Sequence, residues 1–512
     1  MAQKIIQKVL IANRGEIAIR VMRTCKEMGI TTVAVYSDAD RKMPHVLAAD
    51  EAYHIGPAPA RESYLSIERL LDAAIRSKAD AIHPGYGFLS ENEDFAQAVQ
   101  DAGLIFIGPR PESIRAMGDK TEARKLMRAA GVPIVPGTDV LDSVTEAQTF
   151  CEKYGFPVLI KAAAGGGGKG MRVVETMSDL ASLFRAAQSE STSAFGDHRV
   201  YLEKYLEEPR HVEFQILADQ HGNVVHLGER ECSIQRRHQK VIEETPSVIV
   251  DEAIRNRMGA TAVMAAKACA YHNAGTIEFL VDKSRSFYFL EMNTRLQVEH
   301  PITEMRTRID IVAQQLQIAA GGKLRFAQED IRFRGHAIEC RIYAEDGSND
   351  FAPSTGSITH LKASQGSGIR EDRGIEQGGE VSVYYDPLLA KLVAWGNTRT
   401  EAIDRMKRAL REYEILGVKT NIDVNLFVLE HPKFVDGDFD THFFSRYFNP
   451  ADMKKPSEAG TRTVAVVCAL LHHQSLSNPV STTGGGRHSL YQKAISFNHR
   501  AGGKWKDQRL QR

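Results

Sequence analysis

Short apolar runs alternate with amphipathic stretches along the first hundred residues. Gln7–Ala12 is a short apolar run ending in the turn signal Asn13-Arg14-Gly15. Ile17, Val21, Cys25 and Met28 then recur at helical spacing, Gly29 stops that helix, and Thr32–Tyr36 is β-branched and strand-like. The same alternation predicts helices at Ile67–Ser77 and Phe95–Ala102 and strands at Ala79–His83 and Leu104–Ile107. Strands and helices in this order imply a parallel sheet with right-handed crossovers. Functional groups in such sheets lie beyond the strand C-termini, where Asn13-Arg14-Gly15-Glu16 and His83–Asn92 fall.

From about Lys120 the pattern changes. It predicts helices at Thr121–Ala130, Ser143–Lys153, Ser178–Ser189 and Asp251–His272. Strands are expected at Pro157–Ala162, Met171–Glu175, Val200–Tyr205, Arg210–Asp219 and Asn223–Arg230. Gly335–Ala344 opens a mostly β region closed by a helix at Thr400–Glu414. The fold class is therefore mixed α/β and α+β with several domains. Beyond Asn449 the chain turns to Ser, Gly and charge, the composition of a poorly ordered extension or linker.

Composition narrows the function. Lys plus Arg and Asp plus Glu both number 65 in 512 residues, so no basic surplus is available for nucleic acid. The longest apolar run, Val464–Leu471, is less than half the roughly 20 residues a membrane span needs. The N-terminus has no long apolar stretch of a signal peptide, so the expected location is cytoplasmic. The six cysteines have no metal-ligand spacing and are expected to be reduced, buried thiols.

Three features carry candidate chemistry. The loop Ala164–Gly170 contains Gly165-Gly166-Gly167-Gly168-Lys169-Gly170, whose backbone N–H groups can crowd around phosphate. A strand-like segment follows it, where a dinucleotide fingerprint needs a helix, and no Ser or Thr follows Lys169 as a Walker A loop requires. A hairpin that closes over a nucleotide remains, with a plain surface turn as the alternative.

Second, Gly275–Val281 and Phe287–Glu291 flank the four residues Lys283–Ser286, and that register sets Asp282 opposite Phe287 and Glu278 opposite Glu291. Cβ atoms so paired lie ~5 Å apart. Two charges there repel by about 3 kcal/mol at an effective dielectric of about 20. A divalent cation bridging both relieves this; the alternative is a shifted register with both carboxylates solvated.

Third, Glu291, Asn293, Arg295, Gln297 and Glu299 alternate with largely apolar neighbours, which in extended chain puts a file of polar groups on one face, suited to a small oxyanion beside a metal. His300-Pro301 is expected to end that strand. Arg236-Arg237-His238-Gln239-Lys240 and Arg341 could complete the site, or be a solvated charge run and a structural ion pair.

The segments Ile11–Arg20, His83–Asn92, Met117–Thr121, Gly165–Arg172, Glu203–Tyr205, Arg236–Lys240 and Glu291–Pro301 together resemble biotin carboxylase, in order, over roughly residues 4–447. The resemblance implies a Rossmann-like preATP-grasp domain at 1–117 and an ATP-grasp domain at 118–332, with a mobile lid at 133–205. It also implies a β-rich C-terminal domain at 333–448, followed by a flexible or partner-docking extension at 449–512. The implied reaction joins bicarbonate to carrier-bound biotin at the expense of ATP, through carboxyphosphate. It is the first half-reaction of an acyl-CoA carboxylase, with acetyl- or propionyl-CoA as acceptor.

By the same resemblance Lys120, Lys161, Gly167, Gly168, Glu203, Lys204, Tyr205, Leu206, His211, Gln235, His238, Glu278 and Glu291 bind ATP. Glu278, Glu291 and Asn293 hold Mg2+ or Mn2+. Lys240, Arg295, Gln297 and Val298 take bicarbonate, Glu299 is the general base, and Tyr86 and Arg341 meet biotin; Lys240, Arg295, Glu299 and Arg341 form the catalytic set. Implied partners are separate biotin carrier and carboxyltransferase subunits and a homodimer or larger complex, without nucleic acid or membrane. Ala164 and Lys169 depart from many relatives and lean weakly toward the propionyl-CoA type. The rivals are another ATP-grasp ligase, a pyruvate carboxylase subunit, and an inactive scaffold subunit.

Overall fold

The computed structural model describes residues 5–141, 143–163, 171–453, 465–470 and 473. The lid glycines Gly167 and Gly168, and most of the extension, lie outside the described residues. Contacts divide the chain into two units, Met1–Pro450 and Ala451–Arg512. In the second, residues 465–470 are helical.

The first unit opens with five parallel strands: β1 (Lys8–Ile11), β2 (Thr31–Tyr36), β3 (Glu51–His54), β4 (Ala81–His83) and β5 (Ile105–Phe106). Their order, β3-β2-β1-β4-β5, reverses direction between β1 and β4, the place where such sheets bind ligands. The strands are short because Gly, Ser and Asn break the chain soon after each. Ser66, Asn92 and Asp119 each cap the helix they precede by accepting from its first turn. Gly85 follows β4 at a φ of +65°, and a Cβ there would stand 2.9 Å from the Asn13 amide. Asn13 in turn donates to the carbonyls of Pro84 and Tyr86 at 2.8 Å, tying the two switch-point loops together.

A three-stranded sheet follows: β6 (Val158–Ala162), β7 (Arg172–Val174) and β8 (Val200–Lys204), in order β7-β6-β8. The helices Val144–Tyr154 and Met177–Phe195 share a separate apolar core with it.

The largest sheet has eight antiparallel strands: β9 (Arg210–Ala218), β10 (Val224–Arg236), β11 (Gln239–Thr245), β12 (Asn273–Val281), β13 (Phe287–Asn293) and β14 (His336–Tyr343), with two more from further on. Three two-stranded ribbons intervene: β15 (Glu345–Asp346) with β16 (Ala352–Pro353), β17 (Gly356–Ser357) with β20 (Glu380–Val381), and β18 (His360–Lys362) with β22 (Glu414–Leu416). The last two strands of the large sheet are β19 (Ile369–Arg373) and β21 (Leu388–Gly396). Its order is β13-β12-β9-β10-β11-β14-β21-β19, so it runs unbroken across the boundary expected at 332/333. Among the described residues no helix is long and apolar enough to cross a membrane.

Four expectations need correction. The extended file ends at Asn293, because residues 294–299 bend and turn. His300-Pro301 does not close a strand but opens the helix His300–Thr307, where a first-turn proline loses no hydrogen bond. The basic run 236–240 is the turn and start of a hairpin: β10 extends to Arg236 and β11 begins at Gln239. Of the cysteines, five are buried and Cys468 is exposed.

Candidate active site

The β12–β13 hairpin does set Glu278 opposite Glu291, though by a different route. Near the turn Val281 pairs with Phe287, one residue off the expected register. An irregularity between the Phe279–Phe289 and Glu278–Glu291 pairs, where Leu290 is skipped, restores it. Both Glu278 oxygens meet cations or amides. Lys240 Nζ (2.9 Å), Asn293 Nδ2 (2.8 Å) and Gln297 Nε2 (3.1 Å) donate to Oε1, and His211 Nε2 lies 2.8 Å from Oε2. Burial alone raises a carboxyl pKa, but Lys240 and His211 overcome it and hold Glu278 far below the usual range.

Lys240 is the hub. Its ammonium also donates to Glu213 Oε2 at 2.5 Å and Glu299 Oε1 at 2.6 Å. The other Glu299 oxygen accepts from Arg341 at 3.0 Å, and Arg341 also donates to Glu243 at 2.6 Å. Glu299 is fully buried; burial pushes its carboxyl up, yet Lys240, Arg341 and Arg230 drive it well below the usual range, so it is a carboxylate at working pH. The bend at 294–299 keeps the polar file together. Arg295 donates to Asn293 Oδ1 (2.9 Å) and Gln297 Oε1 (2.8 Å), and Glu91 anchors it at 2.8 Å. The Val298 carbonyl accepts from Lys391. Tyr86 lies close by, with the Lys391 ammonium 5.7 Å from its ring centre.

A second group lines the β6–β8 side. Glu203 sits between Arg124 and Lys161, the latter at 2.5 Å, so its carboxylate is occupied and positions Lys161. The Lys204 and Tyr205 N–H groups bond Pro136 and Pro157, whereas the Leu206 N–H has no acceptor among the described residues. The side chains of Lys204 and Tyr205 point elsewhere, to Gly155 and Phe156 carbonyls and to His442. His238 is pushed down by burial and then by the charges of Lys161, His211 and Lys120, which records the cation density of this region. Gln235 pairs with Lys240 across the β10–β11 hairpin. From the basic run only Lys240 enters the buried network; Arg236 binds Glu345 and Arg237 binds Asp350.

Glu278 and Glu291 offer carboxylate oxygens and Asn293 an amide oxygen, donors of the kind Mg2+ or Mn2+ prefers. Glu291 has no side-chain hydrogen bond among the described residues, and burial together with the Glu278 charge pushes its carboxyl up. A divalent cation would relieve that repulsion, so the residues fit one.

Sequence reasoning missed Glu213, Arg230, Glu243 and Lys391, and it placed Glu16 and Glu91 in the two switch-point segments without giving either a role. The polar positions of β9 carried a signal: Glu213 and Gln215 alternate with Val212, Phe214 and Ile216, and all five are buried. Arg230, also fully buried, holds Glu213 at 2.5 Å and Gln215 at 2.7 Å.

Sequence models of the biotin carboxylase N-terminal domain, the carbamoyl-phosphate synthase L chain ATP-binding domain and the biotin carboxylase C-terminal domain match residues 5–114, 119–327 and 339–446. The biotin carboxylase of Nostoc sp. is 52% identical over 437 residues, covering 85% of this chain and 98% of its own. The chain belongs to the biotin carboxylase family. The mitochondrial methylcrotonoyl-CoA carboxylase subunit alpha of Dictyostelium discoideum is 49% identical over 509 residues, 97% of this chain and 73% of its own. The crystal structure of the biotin carboxylase domain dimer of Hydrogenobacter thermophilus 2-oxoglutarate carboxylase, with MgADP, ADP and bicarbonate, is 48% identical. It superposes with a TM-score of 0.84, covering 89% of this chain and 100% of that one. As a biotin carboxylase, the chain is an ATP-dependent ligase.

Proposed function

We propose that this biotin carboxylase uses the buried network around Lys240 to carboxylate carrier-bound biotin with bicarbonate and ATP, giving N1-carboxybiotin, ADP and phosphate. The observation that carries the reading is Glu299, fully buried with Lys240 on one oxygen and Arg341 on the other. A carboxylate between two cations, beside the metal-type pair Glu278 and Glu291, suits a small anion that must lose a proton as it attacks phosphorus.

Bicarbonate enters between Lys240, Arg295, Gln297 and the Val298 backbone, which take its charge. When Lys240 turns to bicarbonate, Glu299 loses one of its two cations and becomes the more basic partner. It accepts the bicarbonate proton as the oxygen attacks the γ-phosphorus, releasing ADP. Lys120 and Lys161 hold the phosphate oxygens, and the Leu206 N–H faces the base. Glu278, Glu291 and Asn293 would hold Mg2+ or Mn2+, which neutralises charge on the phosphates when bound. Carboxyphosphate separates into CO2 and phosphate, the phosphate takes the biotin N1 proton, and N1 attacks CO2. Arg341 balances the ureido oxygen as it becomes negative, and Tyr86 borders the ring. Water destroys carboxyphosphate, so a lid that closes over the nucleotide has a physical purpose.

In this function the chain divides into 1–117, 118–332 with a lid at 133–205, 333–448 and 449–512. The enzyme works in the cytoplasm as a homodimer or larger complex with separate carrier and carboxyltransferase subunits, as the first half of a carboxylase whose acceptor is an acyl-CoA. The relative named for methylcrotonoyl-CoA supports an acyl-CoA; the dimer of the Hydrogenobacter domain supports the homodimer.

The test is ATP turnover with labelled bicarbonate, with and without free biotin. Bicarbonate-dependent ADP release that biotin stimulates, with label appearing in carboxybiotin, is expected. Turnover indifferent to biotin favours another ATP-grasp ligase, and none at all an inactive subunit.

A further inference from the structure

Lys391 is fully buried on β21, outside the set of residues assigned above. Its ammonium donates to the Val298 carbonyl at 2.9 Å and lies 3.1 Å from Glu16 Oε2, in the first turn of the helix Gly15–Glu27. Directly across the β14–β21 ladder stands Arg341, so two cations share one face of adjacent strands. On the other side Asp372 of β19 pairs with Lys391 in register. Like charges directly opposed are unfavourable, and a buried ion pair is often replaced by apolar side chains without loss of stability. Stability alone does not account for a lysine here.

The Val298 carbonyl does. The peptide between Val298 and Glu299 is planar, so the group that fixes its oxygen also fixes the Glu299 N–H and Cα. That segment has left the sheet at Asn293 and lacks a ladder to hold it. We infer that Lys391, with Glu16 as its counter-charge, is a positioning residue that sets the Val298–Glu299 peptide for bicarbonate and its base. The contact also links the N-terminal switch-point turn, where Glu16 follows Asn13-Arg14-Gly15, to the bicarbonate segment. Glu16 is 5% exposed and Lys391 fully buried, so little solvent reaches the pair. The inference rests on the biotin carboxylase reading.

The test uses Lys391→Met, Glu16→Gln and the double variant Lys391→Met/Glu16→Leu in the full chain. Lys391→Met is expected to raise the KM for bicarbonate at least tenfold and lower kcat, with the KM for ATP within twofold. Glu16→Gln keeps an acceptor for Lys391 and should shift the bicarbonate KM in the same direction by less. The double variant removes both charges, so it regains thermal stability but keeps the bicarbonate defect. It carries the test if the single variant does not fold. Hydrogen exchange at residues 294–299 should quicken in both Met variants, whatever their activity. Three results would overturn the inference: a bicarbonate KM within twofold of wild type, equal rises in both KM values, or unchanged exchange at 294–299. Loss of bicarbonate-dependent turnover in wild type would instead strike the reading beneath it, and the exchange result separates the two.

Discussion

Glu299 has Lys240 on one carboxylate oxygen and Arg341 on the other, so Glu299→Gln removes both the base and the partner of two buried cations. We expect bicarbonate-dependent ATP cleavage to fall at least a hundredfold, with nucleotide binding retained, because Lys120, Lys161 and Leu206 stand on other elements. Calorimetric titration with ADP alongside turnover measures both, and a parallel loss of the two would contradict the assignment. Arg341→Ala should divide the reaction differently. The residue faces biotin in the proposed chemistry, so carboxybiotin formation should drop by more than ATP cleavage. Equal losses would deny that split. Glu291→Gln removes one of the two opposed carboxylates. It should shift the metal dependence of turnover to higher Mg2+ by tenfold or more, and an unchanged metal titration would sink the pair as ligands. At this scale the sequence was informative where residue type is unusual for its place. The alternation of Glu291, Asn293, Arg295, Gln297 and Glu299 was legible, while Lys391 looked ordinary and Glu16 was only one of four residues in a switch-point turn, because their meaning lies in a contact across 375 positions.

The element β4 ends at His83, whose ring is fully buried; Nδ1 accepts the Gly85 N–H at 3.0 Å and Nε2 meets Gln315 Oε1 at 3.2 Å. That pattern suits a neutral imidazole donating from Nε2. Burial lowers its pKa from 6.5 to about 4, against the Gln315 contact. The folded pKa is depressed, so stability is complete above the unfolded value of about 6.5 and is lost as pH falls through that window toward 4. Between pH 7.5 and 5 this group alone should cost about 2 kcal/mol. Urea unfolding of wild type and His83→Asn at both pH values reads the difference, and equal slopes would refute the role. Elements defined by turns were legible where glycine, proline or a capping residue marks the end. The β10–β11 hairpin was not. Its turn uses Arg237 and His238 at φ of 49° and 65°, positions where glycine or asparagine is the usual signal, and their charge reads as surface. The bend after Asn293 was hidden for a related reason: side-chain bonds from Arg295 and Gln297, not chain punctuation, hold it.

For the whole molecule, the question is where biotin is attached. A carrier lysine needs an exposed turn between methionines. Met406-Lys407 lies within the helix Arg399–Glu412, with Met406 buried and the Lys407 amine 2.9 Å from Asp404. Met453-Lys454 is followed by Lys455 and Pro456, and Lys454 lies outside the described residues. We therefore expect biotin on a chain or domain other than these 512 residues, and intact-mass and peptide analysis finding it on any lysine here would refute that. The same reasoning separates catalysis from the extension. Every residue of the proposed site lies within Met1–Pro450, a unit by contact, whereas the apolar run Val464–Leu471 belongs to the second unit, with Val466 and Leu470 exposed; it is a candidate docking segment, and packing on this chain's own C-terminal domain is the alternative. Truncation after Pro450 should leave turnover with free biotin within twofold of the full chain and weaken recovery of the carrier and transferase from the native complex. Turnover that collapses on truncation would assign the extension to the active site, and assembly that survives it would leave docking to the surface of the first unit.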